Sequence, residues 1–268
     1  MNIMRQCIIE GNINPDAQMR LFCIPYAGGG ASIFHAWRNG SLREAQVCAI
    51  QMPGRESRIS DIPFTDMTPL IEELGQAILP WLDMPFAFFG HSNGALVSFE
   101  LVRLLRRRNL RLPLALIVGG NNAPDSPHLH PPIAQLPEKD FLKQLRELNG
   151  VPKDIERNAE IMELLLPTLR ADINISETYR YVPEEPLDCP IMAVYGSHDP
   201  ETDYESVLAW QRQTRREFCT QDIPGDHFFL NSSRRILLRH LSLYLKNLLI
   251  EQRPAAVQTY SAPATSFL

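Results

Sequence analysis

No apolar run in this sequence approaches the roughly 20 residues that a membrane-spanning helix requires, so no span is expected. The stretch Met1 to Asn14 has no apolar core of signal-peptide length. Basic charge is not in excess. Against 31 Asp and Glu stand 26 Lys and Arg, a formal net charge of −5 with a pI of about 5.8, which argues against nonspecific nucleic-acid binding. Cysteine is sparse: Cys7, Cys23, Cys48, Cys189 and Cys219 are odd in number and form no Cys-x-x-Cys pair. That pattern suggests neither a zinc site nor a disulfide framework. Cys23 and Cys48 lie in apolar runs and read as small buried hydrophobes. There is no internal repeat. A reducing cytoplasm is the expected compartment.

What is present is an ordinary globular composition, 44% hydrophobic and 21% charged over 268 residues. That length buries a core without disulfide staples and suits one domain with an insertion or two small domains. Residues 1–18 are polar and irregular and read as a flexible lead-in. Residues 19–251 read as the folded domain, and 252–268, without periodicity, as a disordered tail.

Short apolar strands are expected at Met19–Ile24, Gln46–Gln51, Phe86–Phe89, Leu114–Val118, Ile191–Tyr195 and Glu217–Ile223. Helical spacing separates them, as in Met67–Leu82, where Leu70, Ile71, Leu74, Ile78 and Leu79 share a face. Strands that are apolar without strict alternation favour a parallel sheet covered on both faces. The alternation breaks after Gly120. Residues 121–185 hold a Pro-, Asn- and His-rich start and then helical spacing only, so they read as a helical lid inserted between strands. Ser233–Leu249 reads as a final amphipathic helix.

Gly90-His-Ser-Asn-Gly94 sits between an apolar strand and a helix. This is the sequence form of a nucleophile elbow, in which a sharp turn presents the serine at a helix start. Glycines flank it because the backbone there approaches its neighbours too closely for a Cβ. Ser92 is therefore the candidate nucleophile. A serine hydroxyl needs a base to take its proton, and the base needs an orienting carboxylate.

Elbow enzymes place these groups in the chain order Ser, acid, His. Of seven histidines, His35 and His91 precede the serine, His128 and His130 start the lid, and His240 lies in the final helix. His198 and His227 remain. Asp199 as acid and His227 as base satisfy the order on two strand-end loops, where active sites of parallel sheets collect. His198 as base would need an earlier acid such as Asp172 or Asp188. Asp199 also reads as a turn residue before Pro200. Asp226 adjoins His227 and is a poorer acid.

Acyl transfer also needs donors for the oxyanion. The N–H of Asn93 follows the nucleophile, and the glycine loop Tyr26-Ala-Gly-Gly-Gly30 offers a second donor at Ala27. No Gly-Lys-Ser/Thr follows that loop, so it is not a phosphate loop. Asp125, His128 and His130 fit no helical zinc spacing and read as a polar lid loop. Arg103, Arg106, Arg107, Arg108 and Arg111 read as solvated charges complementing a helix C-terminus, with an acidic docking partner as the rarer alternative. Arg55 sits in a compact turn and is a candidate loop anchor.

The stretches Phe22-Cys-Ile-Pro-Tyr-Ala-Gly-Gly-Gly-Ala31, Met52-Pro-Gly-Arg-Glu56, Gly90-His-Ser-Asn-Gly-Ala95, Leu166-Pro-Thr-Leu-Arg-Ala-Asp172, Tyr195-Gly-Ser-His-Asp199 and Gly225-Asp-His-Phe228 are collinear. Together the chain resembles the type II thioesterases of nonribosomal peptide and polyketide synthesis. The resemblance implies an α/β-hydrolase fold, a mostly parallel central sheet flanked by helices with a helical lid insertion. It implies hydrolysis of acyl or aminoacyl thioesters from the phosphopantetheine arm of acyl or peptidyl carrier proteins. It calls for no cofactor, no metal, no nucleic acid and no membrane, and a monomer is expected. Where the family usually has Met after the nucleophile, this chain has Asn93. The rival readings are a carboxylesterase or lipase on free esters, acyl transfer to an acceptor other than water, and a noncatalytic carrier-binding module.

Overall fold

The computed structural model describes residues 7–10, 14–38, 42–147 and 158–252. They build a seven-stranded sheet, β1 (Ile8–Glu10), β2 (Met19–Ile24), β3 (Ala45–Ile50), β4 (Phe86–His91), β5 (Leu116–Gly119), β6 (Ile191–Gly196) and β7 (Phe218–Ile223), in the order β1-β3-β2-β4-β5-β6-β7. β1 runs antiparallel to β3, and every other neighbouring pair is parallel.

The six central and C-terminal strands lie within two residues of the ends expected from sequence. β1 is the exception and corrects the flexible lead-in expected for residues 1–18. Ile8 pairs with Ile50 and Glu10 with Cys48. Three residues are too few to show a period. The edge of β3, not a local pattern, makes them a strand.

Side chains alternate across the sheet as strand geometry requires. Phe22, Phe86, Phe88, Leu116 and Ile191 face α1 (Met67–Ile78) and α2 (Asn93–Arg107). Leu21, Val47, Phe89, Ile117 and Val194 face the opposite layer. That layer is made by the 3₁₀ helix Ala31–Arg38 and the C-terminal helix. Both faces are thus apolar, which is why the strands carry no hydrophobic–polar alternation.

Between β5 and β6 lie α3 (Glu138–Glu147) and α4 (Ala159–Thr178), with no strand among the described residues. Their own apolar cluster is small, centred on Ile133, Phe141, Leu145 and Leu169. After β6 come α5 (Tyr204–Leu208), α6 (Phe229–Ser232) and α7 (Arg234–Glu251). Of the tail expected at 252–268, only Gln252 is among the described residues. No helix among them is long and apolar enough to cross a membrane.

Candidate active site

β4 ends at His91 and α2 begins at Asn93, leaving Ser92 alone in the turn. Its φ of 54° with ψ of −122° is a conformation that costs a non-glycine residue about 1–3 kcal/mol. The surroundings hold it there. Ser92 N–H donates to Gly119 O at 2.7 Å, and Asn121 Nδ2 donates to Ser92 O at 2.6 Å. A Cβ on Gly90 would stand 2.0 Å from Gly94 O, and one on Gly94 would stand 2.3 Å from Ile24 O. Both glycines are required by close backbone approach, as the motif implies.

Asp199 lies on the loop after β6 and His227 on the loop after β7. Asp199 Oδ2 and Oδ1 stand 3.0 and 3.1 Å from His227 Nδ1, and the carboxylate is fully buried. A carboxylate facing Nδ1 places the proton on that nitrogen and leaves Nε2 as the acceptor. Asp199 also accepts the Glu201 N–H at 2.9 Å. His198, the other candidate base, is exposed and contacts Ser197 Oγ. Asp226 is used locally, accepting Phe228 N–H.

Ser92, His227, Ala27 and Asn93 all line one cavity of about 700 Å³. Its size lies within the range of small-molecule sites. Its far wall is the segment 120–133, with α4 contributing Ile173, Ser176 and Glu177. The structure therefore gathers Ser92, His227, Ala27 and Asn93 around one space, with Asp199 directly behind His227. Among the described residues, no group of three His, Cys, Asp or Glu side chains is arranged to hold a metal.

The sequence model of the thioesterase domain family matches residues 19–244. The chain belongs to the thioesterase family. It is 43% identical over 238 residues to the gramicidin S biosynthesis protein GrsT of Aneurinibacillus migulanus, covering 89% of this chain and 93% of that protein. The fold matches RedJ, the thioesterase from the prodiginine pathway of Streptomyces coelicolor. That match has a TM-score of 0.80, 36% identity and coverage of 86% and 87% of the two chains. It also matches BorB, a type II thioesterase from the borrelidin cluster, with a TM-score of 0.81, 31% identity and coverage of 89% and 97%. The fold is accordingly of the α/β-hydrolase type.

In this thioesterase several residues near the site carry parts that sequence alone did not assign. His91, excluded as a base by its position before Ser92, is fully buried and its Nε2 donates to His227 O at 2.7 Å. Burial, with the nearby His227, pushes its pKa down to about 3, so it stays neutral. Its Nδ1 has no hydrogen-bond partner among the described residues. Glu201 lines the cavity, and burial raises its carboxyl above the usual range despite His227 and His130 nearby. Asn121 was read only as part of a loop; its role in pinning Ser92 depends on a contact 29 residues away.

Asn93, the departure from the usual Met, is buried, and its side chain is bonded to α4. Its Nδ2 donates to Asp172 O at 3.2 Å and its Oδ1 accepts from Ser176 Oγ at 2.8 Å. The polar group is thus spent on the insertion.

The arginines at the end of α2 are not the solvated row expected from sequence. Arg103 is buried, pairs with Glu100 at 2.7 Å and Glu184 at 2.6 Å, and lies over the Phe99 and Tyr181 rings. Arg106 and Arg107 share Glu184, Arg108 pairs with Glu72, and Arg107 and Arg111 remain exposed. Glu184, the partner shared by three of them, comes from about 80 residues away, which no local pattern reveals. With all but Arg111 paired internally, a docking patch for an acidic protein loses most of its support.

Proposed function

We propose that this thioesterase releases acyl or aminoacyl groups from the phosphopantetheine arm of carrier proteins, clearing stalled or incorrect groups from an assembly line in the cytoplasm. Ser92 is the nucleophile, His227 the base, and Asp199 the group that orients and stabilises it. The Ala27 and Asn93 N–H groups are the oxyanion donors. The observation that carries this reading is the single cavity lined by a strained elbow serine and by a histidine backed by a buried carboxylate.

In the proposed reaction, His227 Nε2 takes the Ser92 proton as Oγ attacks the thioester carbonyl, and the oxygen becomes an anion. Neither the Ala27 nor the Asn93 N–H donates to an acceptor among the described residues. Both are free to receive that anion, and Asn93 begins α2, whose N-terminus adds partial positive charge. The proton passes from His227 to the leaving thiolate. Water activated by the same ring then attacks the acyl-serine and releases the acid. The segment 120–133 and α4 enclose the acyl group, as a lid would.

The relatives support the biological setting: GrsT belongs to gramicidin S biosynthesis, RedJ to the prodiginine pathway and BorB to the borrelidin cluster. The test compares wild type and Ser92→Ala on an acyl carrier protein, an acyl-pantetheine thioester and a free ester. We expect the carrier-bound thioester to turn over fastest, with loss of at least about 10³-fold activity in the variant. Full activity in Ser92→Ala sinks the nucleophile assignment, and preference for the free ester sinks the carrier assignment.

A further inference from the structure

Asp172 is a charged residue on the insertion, only 5% exposed. Burying a carboxylate costs several kcal/mol unless its lone pairs are used. Here they are. Oδ2 accepts from Arg55 Nη1 at 2.6 Å and from Gly28 N–H at 2.7 Å, and Oδ1 accepts from Arg55 Nη2 at 2.9 Å. Arg55 is equally buried and also gives its Nη1 to Gly29 O and its Nε and Nη2 to Pro53 O. All five guanidinium N–H groups therefore have acceptors, an arrangement that lysine does not reproduce.

Beside the cavity Asp172 grips Gly28, the neighbour of one oxyanion donor, and Asn93, which carries the other. Gly28 follows Ala27. Fixing its N–H on Asp172 fixes the peptide plane on one side of Ala27, while Gly29 N–H on Tyr26 O closes the turn at 2.9 Å. Gly28 has a φ of 75°, and a Cβ there would meet Leu169 of α4 at 2.4 Å, so the loop lies flat against that helix. On the other side, the Asp172 carbonyl holds the side chain of Asn93, whose N–H is the second donor. One residue on the insertion thus reaches both halves of the oxyanion site.

We infer that Asp172 is a positioning residue that sets the Ala27 and Asn93 donors relative to Ser92, so that docking of α4 and assembly of the oxyanion site are one event. This rests on the assignment of Ser92, Ala27 and Asn93 made above. Donors placed for an oxyanion act on the transition state and little on substrate binding. Loosening them lowers kcat and leaves KM nearly unchanged.

The test uses Asp172→Asn, which keeps an acceptor for Gly28 but removes the charge that holds Arg55. Active sites are titrated with a serine-directed phosphonate, and folding is followed by thermal melting. Then kcat, KM on a simple acyl thioester, and affinity for a trifluoromethyl ketone that forms a tetrahedral adduct are measured per titrated site. We expect kcat to fall about 10- to 100-fold, KM to stay within about threefold, and ketone affinity to fall in parallel with kcat.

A merely structural role changes the melting temperature and the number of active sites but not kcat per site. Unchanged kcat and ketone affinity per site overturn the inference. If Asp172→Asn does not fold, Arg55→Lys, which keeps the cation and loses the fork, is judged by the same two readouts. Failure of the underlying assignment looks different: the phosphonate then leaves wild type unlabelled, or Ser92→Ala retains activity.

Discussion

In β4, Phe86, Phe88 and Phe89 are fully buried between two apolar layers, whereas α4 adds Ile175 to the main core and meets the body through a set of polar contacts besides. Thr168 Oγ1 donates to Gly54 O at 2.7 Å, Asp172 binds Arg55 and Gly28, Ser176 binds Asn93, and Tyr179, just past its end, binds Glu100 at 2.7 Å. Apolar burial stabilises in proportion to area and tolerates small shifts. Hydrogen bonds weaken steeply off-axis and accept one geometry. The apolar layers over the sheet are therefore held strongly with little directional demand. The insertion's own apolar cluster is small, and these bonds, with Ile175 in the main core, set its register.

The largest expected effect separates the two regions directly. Phe88→Ala should cost about 3–5 kcal/mol of global stability, read from the denaturant midpoint with an unchanged slope. Phe141→Ala, in the insertion's own cluster, should shift that midpoint much less while lowering hydrogen-exchange protection in α3. Equal midpoint shifts would mean that insertion and sheet unfold as one unit, and the contrast would be gone.

Acid should act on the body through His91. Its folded pKa of about 3 lies below the ordinary value of 6.5, so between those values the unfolded chain binds the extra proton. Stability from this group is complete above about pH 6.5 and is lost as pH falls toward about 3. Melting temperatures recorded from pH 7 to pH 4 should therefore decline less steeply in His91→Gln than in wild type. Parallel slopes would remove His91 as the cause.

The smallest expected effect sharpens the contrast from the insertion's side. Thr168→Val deletes one donor and leaves Gly54 O unpaired, a loss of about 1 kcal/mol. It should appear as faster amide exchange in α4, with β4 and β5 unaffected. A uniform change across both regions would tie this bond to the global fold.

These regions also differ in how far sequence alone discloses them. Strands β2 and β4 stop at Pro25 and the elbow because each is an apolar run closed by a residue that cannot continue it, and β3 ends at Ile50, just short of Pro53. Chain order singled out Asp199 and His227, which the fold brings to 3.0 Å. The bonds that register α4 leave no such trace. Arg55 and Asp172 are 117 residues apart, and neither has a period or a spacing that points to the other. Arg55 was recognisable as a possible anchor, but its partner was not. Arg103 was misread for the same reason, since Glu184 is remote in the chain.

The short strand β1 has a consequence for colloidal behaviour. All six residues of β3 are buried, so without β1 the sheet would present an apolar ribbon with unpaired backbone donors and acceptors. Such a ribbon templates the addition of another chain. β7, at the opposite margin, needs no cover of this kind because Cys219 and Asp222 are exposed along a half-polar strand. Ile8–Glu10 cover the Cys48–Ile50 half of that edge, and so shield it against such addition, a duty that lies outside catalysis.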